Sequence, residues 1–180
     1  SDVYKRQCLI CTNNLVKLAN QTKKKIHILH ITTAEEIELL NKNKKYVSYE
    51  VTPQHLVLSS PSCYDKLGTL AQMNPPIRSL RHNKRLRQAL KNNEIDIVGS
   101  DHAPHKLSEK KLEYPDSPSG MPGVQTLLPI LLNEVSKKMI SINNVVELTS
   151  YNPINRFKIK NKGLIKEGYD ADLTFVDMSK

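Results

Sequence analysis

The sequence predicts an α/β fold and, within that class, part of a (β/α)8 barrel of the TIM type. Short apolar runs alternate with segments of helical periodicity, which is the order expected of a parallel sheet with crossover helices. No Gly-rich phosphate loop follows any of these runs, which disfavours the competing doubly wound nucleotide-binding sheet. His30 and Asp101 each end a predicted strand, where barrel active sites are built. A barrel needs eight strands and about 250 residues, so the three parallel strands found here predict part of one.

The first half of the chain supplies two of these strands. Apolar side chains at helical spacing predict a helix over residues 8–22, and the run IHILHI at 26–31 predicts a buried strand. A second helix follows, because Thr32 and Thr33 each precede a glutamate by three residues, which is a doubled capping-box signal. The segment YVSYEV at 46–51 predicts the second strand.

The third strand lies between two long connections. Residues 52–78 contain several prolines and predict a single helical turn near 54–58. A helix over 80–92 leads into the continuous apolar strand that ends at Asp101. A polar loop then covers 102–122, and connections of this length are usually functional or disordered.

The two ends of the chain complete the prediction. Helices are expected over 124–138 and 143–151, and the alternating pattern of 163–177 is typical of antiparallel strands. Residues 1–7, SDVYKRQ, match nothing in the pattern that follows, so we interpret them as a non-native lead-in and leave them out of the fold prediction.

The composition is that of a globular protein rather than a disordered one. Hydrophobic residues make up 38% and charged residues 25% of the chain. No apolar run approaches the roughly 20 residues of a membrane helix, and the start lacks the order of a secretory signal. Three cysteines cannot form a full disulfide framework, and the lone C-x-x-C at Cys8 and Cys11 lacks a second ligand pair. We therefore expect a cytoplasmic protein with no membrane partner.

The net charge of +9 raises the alternative of an RNA-binding module. The basic runs at 23–25, 42–45 and 78–87 lie where helices end or expose a polar face. No aromatic residues interleave them to stack on bases. A solvated, Lys-rich surface explains the charge better, and no nucleic-acid partner is expected.

Two strand ends carry candidate metal ligands. His27 and His30 are three residues apart, so strand alternation predicts that only one of them faces a given site. His30 is the better candidate because it is the last of the strand. Asp101 begins the run D-H-A-P-H, and a carboxylate at this junction can bind a metal and hold a proton taken from water. Pro104 can direct His105 back over the site.

Two loops carry candidate substrate-binding groups. MNPPIR holds Asn74 between conformationally restricted prolines, and an amide offers the donor and acceptor that an imide ring needs. PSGMPG, residues 118–123, can bring its backbone close to a ligand because glycine removes side-chain hindrance. Alone, each segment could also be an ordinary surface loop or turn.

Six segments, taken in order, resemble the dihydroorotases of the amidohydrolase superfamily: HILHITTAEE, EVTPQHL, MNPPIR, GSDHAPH, PSGMPG and GLIKEGYDADLTFVD. The resemblance spans nearly all of residues 11–180, and GSDHAPH together with MNPPIR distinguishes that family from its hydantoinase and allantoinase relatives. It implies that residues 8–160 are the C-terminal part of the barrel. It also implies that residues 161–180 begin the C-terminal β-segment of a small β-rich domain.

The resemblance further implies the chemistry. It is the zinc-dependent, reversible interconversion of dihydroorotate and N-carbamoyl-L-aspartate in de novo pyrimidine (UMP) biosynthesis, with two zinc ions in the complete enzyme. By resemblance His30 is a zinc ligand, and Asp101 is a zinc ligand and the catalytic base. The positions that hold the small-molecule substrate match Asn74, His105, Ser119 and Gly120. A homo-oligomer, or a complex with another pyrimidine-pathway enzyme, stays open.

Some family features are missing or changed. The H-x-H motif of the first strand, the bridging Lys or Asp of the fourth and the His of the fifth have no counterpart here, and two ligands cannot hold a dinuclear zinc site. We therefore expect the isolated chain to bind zinc poorly and to be inactive. Gln54 stands where family members often have histidine, which we interpret as variation off the metal site. The alternatives are a hydantoinase, dihydropyrimidinase or allantoinase, and a metal-free structural homologue.

Overall fold

The computed structural model describes residues 2–179, in which nine α-helices are interspersed with three short parallel strands. In chain order these are α1 (Asp2–Thr22), β1 (Ile26–Ile28), α2 (Ala34–Asn41), β2 (Val47–Val51), α3 (Pro53–Val57), α4 (Ser62–Leu67), α5 (Leu80–Lys91), β3 (Ile97–Val98), α6 (Leu107–Lys110), α7 (Val124–Ser136), α8 (Ile142–Val146) and α9 (Asn152–Phe157). A 3-10 turn (Gly68–Ala71) follows α4, and a π-turn (Glu147–Tyr151) joins α8 to α9. None of the helices in this described range is long and apolar enough to cross a membrane.

The strands form one parallel sheet in the order β1-β2-β3, which confirms the predicted α/β arrangement. All three assigned strands are shorter than the sequence predicts. The hydrogen bonds nevertheless continue past the assigned ends, because the Ile31 N–H donates to the Glu50 carbonyl at 2.8 Å and the Gly99 N–H to the Val51 carbonyl at 3.0 Å. Regular extension stops at His30 and Asp101, whose φ angles are +38° and +44°.

One face of the sheet packs against helices to form the main core. Val47, Tyr49 and Val51 alternate along β2 and are at most 2% exposed, in one cluster with Leu40 of α2 and Leu86 of α5. The period-2 burial of β2 is what the alternation of strand side chains requires. This packing fixes where the carboxyl ends of the strands emerge.

The opposite face of the sheet is polar. His27 Nδ1 lies 2.9 Å from the Ser48 hydroxyl, and His27 Nε2 lies 3.1 Å from a carboxylate oxygen of Glu50. Gly99 follows β3 on the same face, where a Cβ would come within 2.5 Å of the Glu50 carboxylate. A residue without a side chain is therefore needed beside Glu50.

The start of α2 shows which of the two candidate threonines caps the helix. Thr33 is the N-cap, since its hydroxyl accepts the Glu36 N–H while the Glu36 carboxylate accepts the Thr33 N–H. Thr32 does not cap the helix. Its hydroxyl accepts a hydrogen bond from Nε of the buried Arg78 at 3.2 Å instead.

Three local predictions differ from the structure. Helix α1 begins at Asp2 rather than at residue 8, so residues left out of the prediction are helical. The connections 52–78 and 102–122 contain short helices as well as the predicted turn. The described tail, 158–179, has turns and bends but no strand, and the Asp170 N–H to Asn161 carbonyl bond of 2.8 Å is not extended into a ladder. An alternating pattern forms a strand only where a partner edge supplies hydrogen bonds.

Candidate active site

His30 and Asp101 lie at the carboxyl ends of two strands that flank β2. Two strand spacings separate their backbones, about 9–10 Å. Both side chains are half-buried, and neither has a hydrogen-bond or ion-pair partner in the described part of the chain. A half-buried imidazole and carboxylate without partners are groups left available for a ligand.

His27 is engaged in contacts within the sheet, which leaves His30 as the unengaged histidine of the two. Beyond its contacts with Ser48 and Glu50, its ring meets Phe157 edge-on, with centroids 5.5 Å apart. The physical reason differs from the predicted one. His30 lies beyond the last residue of β1 in a left-handed conformation, so strand alternation does not set its direction.

Asn74 and Ser119 come together on the wall of one cavity. It has a volume of about 530 Å³, and Tyr4, Tyr64 and Tyr114 also line it. His30, Asp101 and His105 are not part of this wall. The predicted site residues therefore form two groups, one at the strand ends and one in the loops.

His105 and Gly120 belong to the loop group. His105 Nε2 donates to the Ser119 carbonyl at 3.1 Å, which holds this imidazole against the segment that carries Ser119. Gly120 has φ +145°, and its N–H donates to the Gln72 carbonyl at 3.0 Å. A Cβ there would lie 2.7 Å from Ala103 and 3.0 Å from His105 Nε2, so glycine is what allows these segments to approach.

Hydrogen bonds of the backbone and of His102 join the Asp101 end of the strand group to the loop group. The Ala103 N–H donates to the Met121 carbonyl at 3.1 Å, two residues after Asp101. Nδ1 of His102 accepts the N–H of Gly123 at 3.0 Å and of Val124 at 3.3 Å, at the start of α7. The loop that carries Asp101 and the segment that carries Ser119 and Gly120 are thus docked on one another.

Gln54 reinforces this docking. Its amide nitrogen donates to the Ser100 carbonyl at 3.3 Å and to the Pro122 carbonyl at 3.4 Å, while its buried Oε1 has no protein partner in the described residues. Gly123 packs directly on the Ser100 carbonyl, where a Cβ would collide. Gln54, in the first turn of α3, therefore connects two segments of the site, and nothing in the residue pattern predicts this contact.

His55 supports the loop that carries Asn74. The side chain is buried, with Nδ1 2.7 Å from the Thr52 hydroxyl and Nε2 2.9 Å from the Pro75 carbonyl. The carbonyl requires a proton on Nε2, which leaves Nδ1 to accept from Thr52. Burial lowers the pKa of His55 to about 4, with a smaller contribution of the same sign from His30. A neutral His55 thus fixes the residue that follows Asn74.

The donor types at the strand ends fit a zinc ion in part. Zinc takes imidazole nitrogen and carboxylate oxygen, and neither His30 nor Asp101 is occupied by another contact. Within residues 2–179, however, no three His, Cys, Asp or Glu side chains are placed to hold a metal ion. His30 and Asp101 are therefore suitable ligands that do not complete a site by themselves.

The chain is similar to cyclic-amide hydrolases in sequence. The amidohydrolase family model matches residues 4–180. Dihydroorotase from Methanosphaera stadtmanae is 40% identical over 174 residues, which cover 96% of this chain and 40% of that protein. Dihydroorotase from Pyrococcus abyssi is 41% identical over 163 residues, which cover 90% of this chain and 38% of that protein. The chain thus spans about two fifths of the length of the curated relatives it matches.

Solved structures agree on the fold. L-hydantoinase (dihydropyrimidinase) from Arthrobacter aurescens superposes with a TM-score of 0.85 at 27% identity, covering 91% of this chain and 38% of that one. Dihydropyrimidinase from Brevibacillus agri gives a TM-score of 0.81 at 27% identity, covering 89% of this chain and 37% of that one. With a family match along nearly its whole length, the chain belongs to the amidohydrolase family.

Proposed function

We propose that this chain contributes the base-bearing and substrate-holding part of a zinc-dependent dihydroorotase site, which interconverts dihydroorotate and N-carbamoyl-L-aspartate in pyrimidine biosynthesis. The proposal rests on the pair of unengaged side chains at the strand ends, His30 and Asp101. It rests also on the hydrogen bonds that dock the loop after Asp101 on the segment that carries Ser119 and Gly120, which adjoin Asn74 and His105 in the loop group. Sequence similarity to dihydroorotases at about 40% identity supports this substrate over the hydantoins named for the 27% identical structures.

In the proposed reaction Asp101 moves the proton. Its carboxylate takes a proton from the attacking water and delivers it to the leaving ring nitrogen. His30 and Asp101 would hold zinc together with ligands outside residues 2–179, and the ion would supply Lewis acidity toward the ring carbonyl and the attacking water. Because Asp101 has no competing ion pair, its carboxylate is available for both tasks.

The loop group orients the ring. The Asn74 amide can donate to a ring carbonyl and accept from an imide N–H. His105 is held by the Ser119 carbonyl, so its ring has a defined place beside the Ser119–Gly120 backbone. The docking of this segment onto the Asp101 loop sets the distance between the base and the substrate.

The three free cysteines of the described chain support a reducing, cytoplasmic setting.

A chimera tests the proposal. The 174 residues matched in Methanosphaera stadtmanae dihydroorotase are replaced by those of this chain, and hydrolysis of dihydroorotate, hydantoin and dihydrouracil is measured together with bound zinc. We expect dihydroorotate to be the preferred substrate and chelation to abolish activity. Asp101→Asn should lower kcat by about 10²–10⁴, while Asp116→Asn, an exposed carboxylate in the same loop, should leave kcat unchanged.

Two results would contradict the proposal. One is a folded, zinc-loaded chimera that prefers hydantoin or dihydrouracil. The other is full dihydroorotate turnover by the Asp101→Asn variant. Circular dichroism and zinc content of each variant separate loss of chemistry from loss of fold. The 180-residue chain alone is expected to bind zinc weakly and to show no turnover.

A further inference from the structure

The Gln54 side chain lies between the central strand and the loop that carries Asp101. Helix α3 follows β2 with only Thr52 between them, and the Thr52 hydroxyl caps the helix by accepting the His55 N–H. Gln54 is 5% exposed. Because β2 lies between β1 and β3, a side chain near its carboxyl end can reach the loop that follows β3.

Two main-chain carbonyls determine the orientation of the Gln54 amide. Its nitrogen donates to the Ser100 carbonyl at 3.3 Å and to the Pro122 carbonyl at 3.4 Å. The reverse orientation would place Oε1 against these two oxygens, and all three are acceptors. The observed orientation leaves Oε1 buried without a protein partner in the described residues, which costs free energy. The two carbonyl contacts therefore hold this side chain at the expense of its own oxygen.

The Ser100 carbonyl belongs to the peptide group that precedes Asp101. The orientation of this peptide group sets φ of Asp101, which is +44°, a left-handed value that residues with a side chain rarely adopt. Rotation of the peptide group would relieve this conformation and turn the Asp101 carboxylate in another direction. The hydrogen bond from Gln54 opposes that rotation.

A second contact holds the chain on the other side of Asp101. Nδ1 of His102 accepts the N–H of Gly123 at 3.0 Å. Gly123 also packs so closely on the Ser100 carbonyl that a Cβ would lie 2.0 Å from it. Both neighbours of Asp101 are thus tied to the start of α7, one through Gln54 and one through its own imidazole.

We propose that Gln54 is a positioning residue for Asp101, which keeps the Asp101 backbone left-handed and its carboxylate in one direction. The inference rests on the proposed function, because it takes Asp101 as the base of that reaction. Gln54 acts through the peptide group between Ser100 and Asp101, and it is not on the wall of the cavity that Asn74 and Ser119 line.

Loss of both amide donors should lower kcat and leave KM near its wild-type value. A displacement of about 1 Å at a catalytic group can lower the rate about 100-fold. Gln54→Met in the chimera should therefore lower kcat by about 10- to 100-fold at saturating zinc. KM should change little, because the contacts of Gly120 with Gln72 and of Pro75 with His55 hold the loop group without Gln54.

NMR spectroscopy of the isotope-labelled 180-residue chain tests the backbone directly. The carbon chemical shifts of Asp101 report whether its φ is left-handed, and exchange of the Ala103 amide reports how firmly the loop is held. Gln54→Met should move the Asp101 shifts toward those of extended backbone. Exchange of the Ala103 amide should become about 10- to 100-fold faster, as expected from the loss of two hydrogen bonds.

Two further variants complete the design. Gln88→Met makes the same change on the exposed face of α5 and should leave kcat, the Asp101 shifts and the Ala103 exchange at their wild-type values. Gln54→His keeps one donor and should lose about 2- to 10-fold in kcat, as expected for one hydrogen bond. It is the variant to measure if Gln54→Met does not fold, and wild-type kcat and Asp101 shifts in it would then overturn the inference.

Three results with a folded Gln54→Met variant would overturn the inference as well. One is a set of wild-type Asp101 shifts, even if the urea midpoint falls, since Gln54 would then have a purely structural role. Another is a wild-type kcat in the chimera. The third is a raised KM with unchanged kcat, which would indicate a substrate-binding role.

The two hypotheses can fail separately. If the wild-type chimera does not hydrolyse dihydroorotate while Gln54→Met still moves the Asp101 shifts, the proposed function fails alone. If the chimera hydrolyses dihydroorotate and its Gln54→Met variant does so at the wild-type rate, only the inference about Gln54 fails.

Discussion

Lowering the pH from 7.5 to 5.0 should destabilise this protein in part through one buried side chain, His55. Its pKa is about 4 in the folded chain and about 6.5 when exposed. The unfolded state therefore binds the proton more tightly, and the free energy of unfolding falls as the pH drops below 6.5. The loss is complete once the pH passes below about 4.

The two pKa values give the size of the effect. Between pH 7.5 and pH 5.0 the difference in proton binding corresponds to about 2 kcal/mol, and the full difference of about 2.5 pKa units corresponds to about 3 kcal/mol. Hydrogen bonds from Asn92 and Arg85 outweigh burial and hold the pKa of Glu94 below its ordinary value. Carboxylates of this kind lose their contribution to the free energy of unfolding only at more acidic pH.

Urea denaturation at pH 7.5 and pH 5.0 measures the effect. His55→Gln should be less stable than the wild type at pH 7.5, because one amide cannot replace both the Thr52 and the Pro75 contacts. It should lose about 2 kcal/mol less than the wild type between the two pH values. His105→Gln removes an exposed imidazole and should keep the wild-type pH dependence. An identical pH dependence in wild type and His55→Gln would refute the reasoning.

Two further substitutions test the packing around the site. Glu134 is 1% exposed and pairs with Arg87 at 2.5 Å and Lys137 at 3.3 Å, and these cations hold its pKa low although burial alone would raise it. Glu134→Gln should lower the free energy of unfolding by about 1–3 kcal/mol. The loss is limited because Arg87 is partly exposed and water screens part of the ion pair. An unchanged urea midpoint would contradict this. Gly123→Ala drives a methyl group into the Ser100 carbonyl and should cost about 1–3 kcal/mol. A calorimetric melting temperature equal to that of the wild type would show that the contact can relax.

Much of the sheet follows from local pattern. The strand at 46–51 and the capping glutamate of α2 are read from neighbouring residues, and both are confirmed. Boundaries are less predictable, because the ends of β1 and β3 depend on left-handed backbone at His30 and Asp101. The tail at 163–177 shows the limit most clearly, since its alternation specifies a strand only when a partner edge is present.

The candidate site was predictable only in part for the same reason. His30 and Asp101 stand at strand ends, a position that sequence order reveals. The contacts of Gln54 with Ser100 and Pro122 join residues 46 and 68 positions apart, and no periodicity encodes a meeting of that kind.

The docked loops also limit how this scaffold can be re-engineered. Exchanging residues 118–123, in order to accept a different ring, has to keep three main-chain groups in place, because the carbonyls of Met121 and Pro122 and the N–H of Gly123 bond Ala103, Gln54 and His102. A graft that preserves these hydrogen bonds has to carry residues 100–124 together with the matching residue at position 54. For the proposed function, changing which ring is accepted and preserving the chemistry are therefore a single design problem.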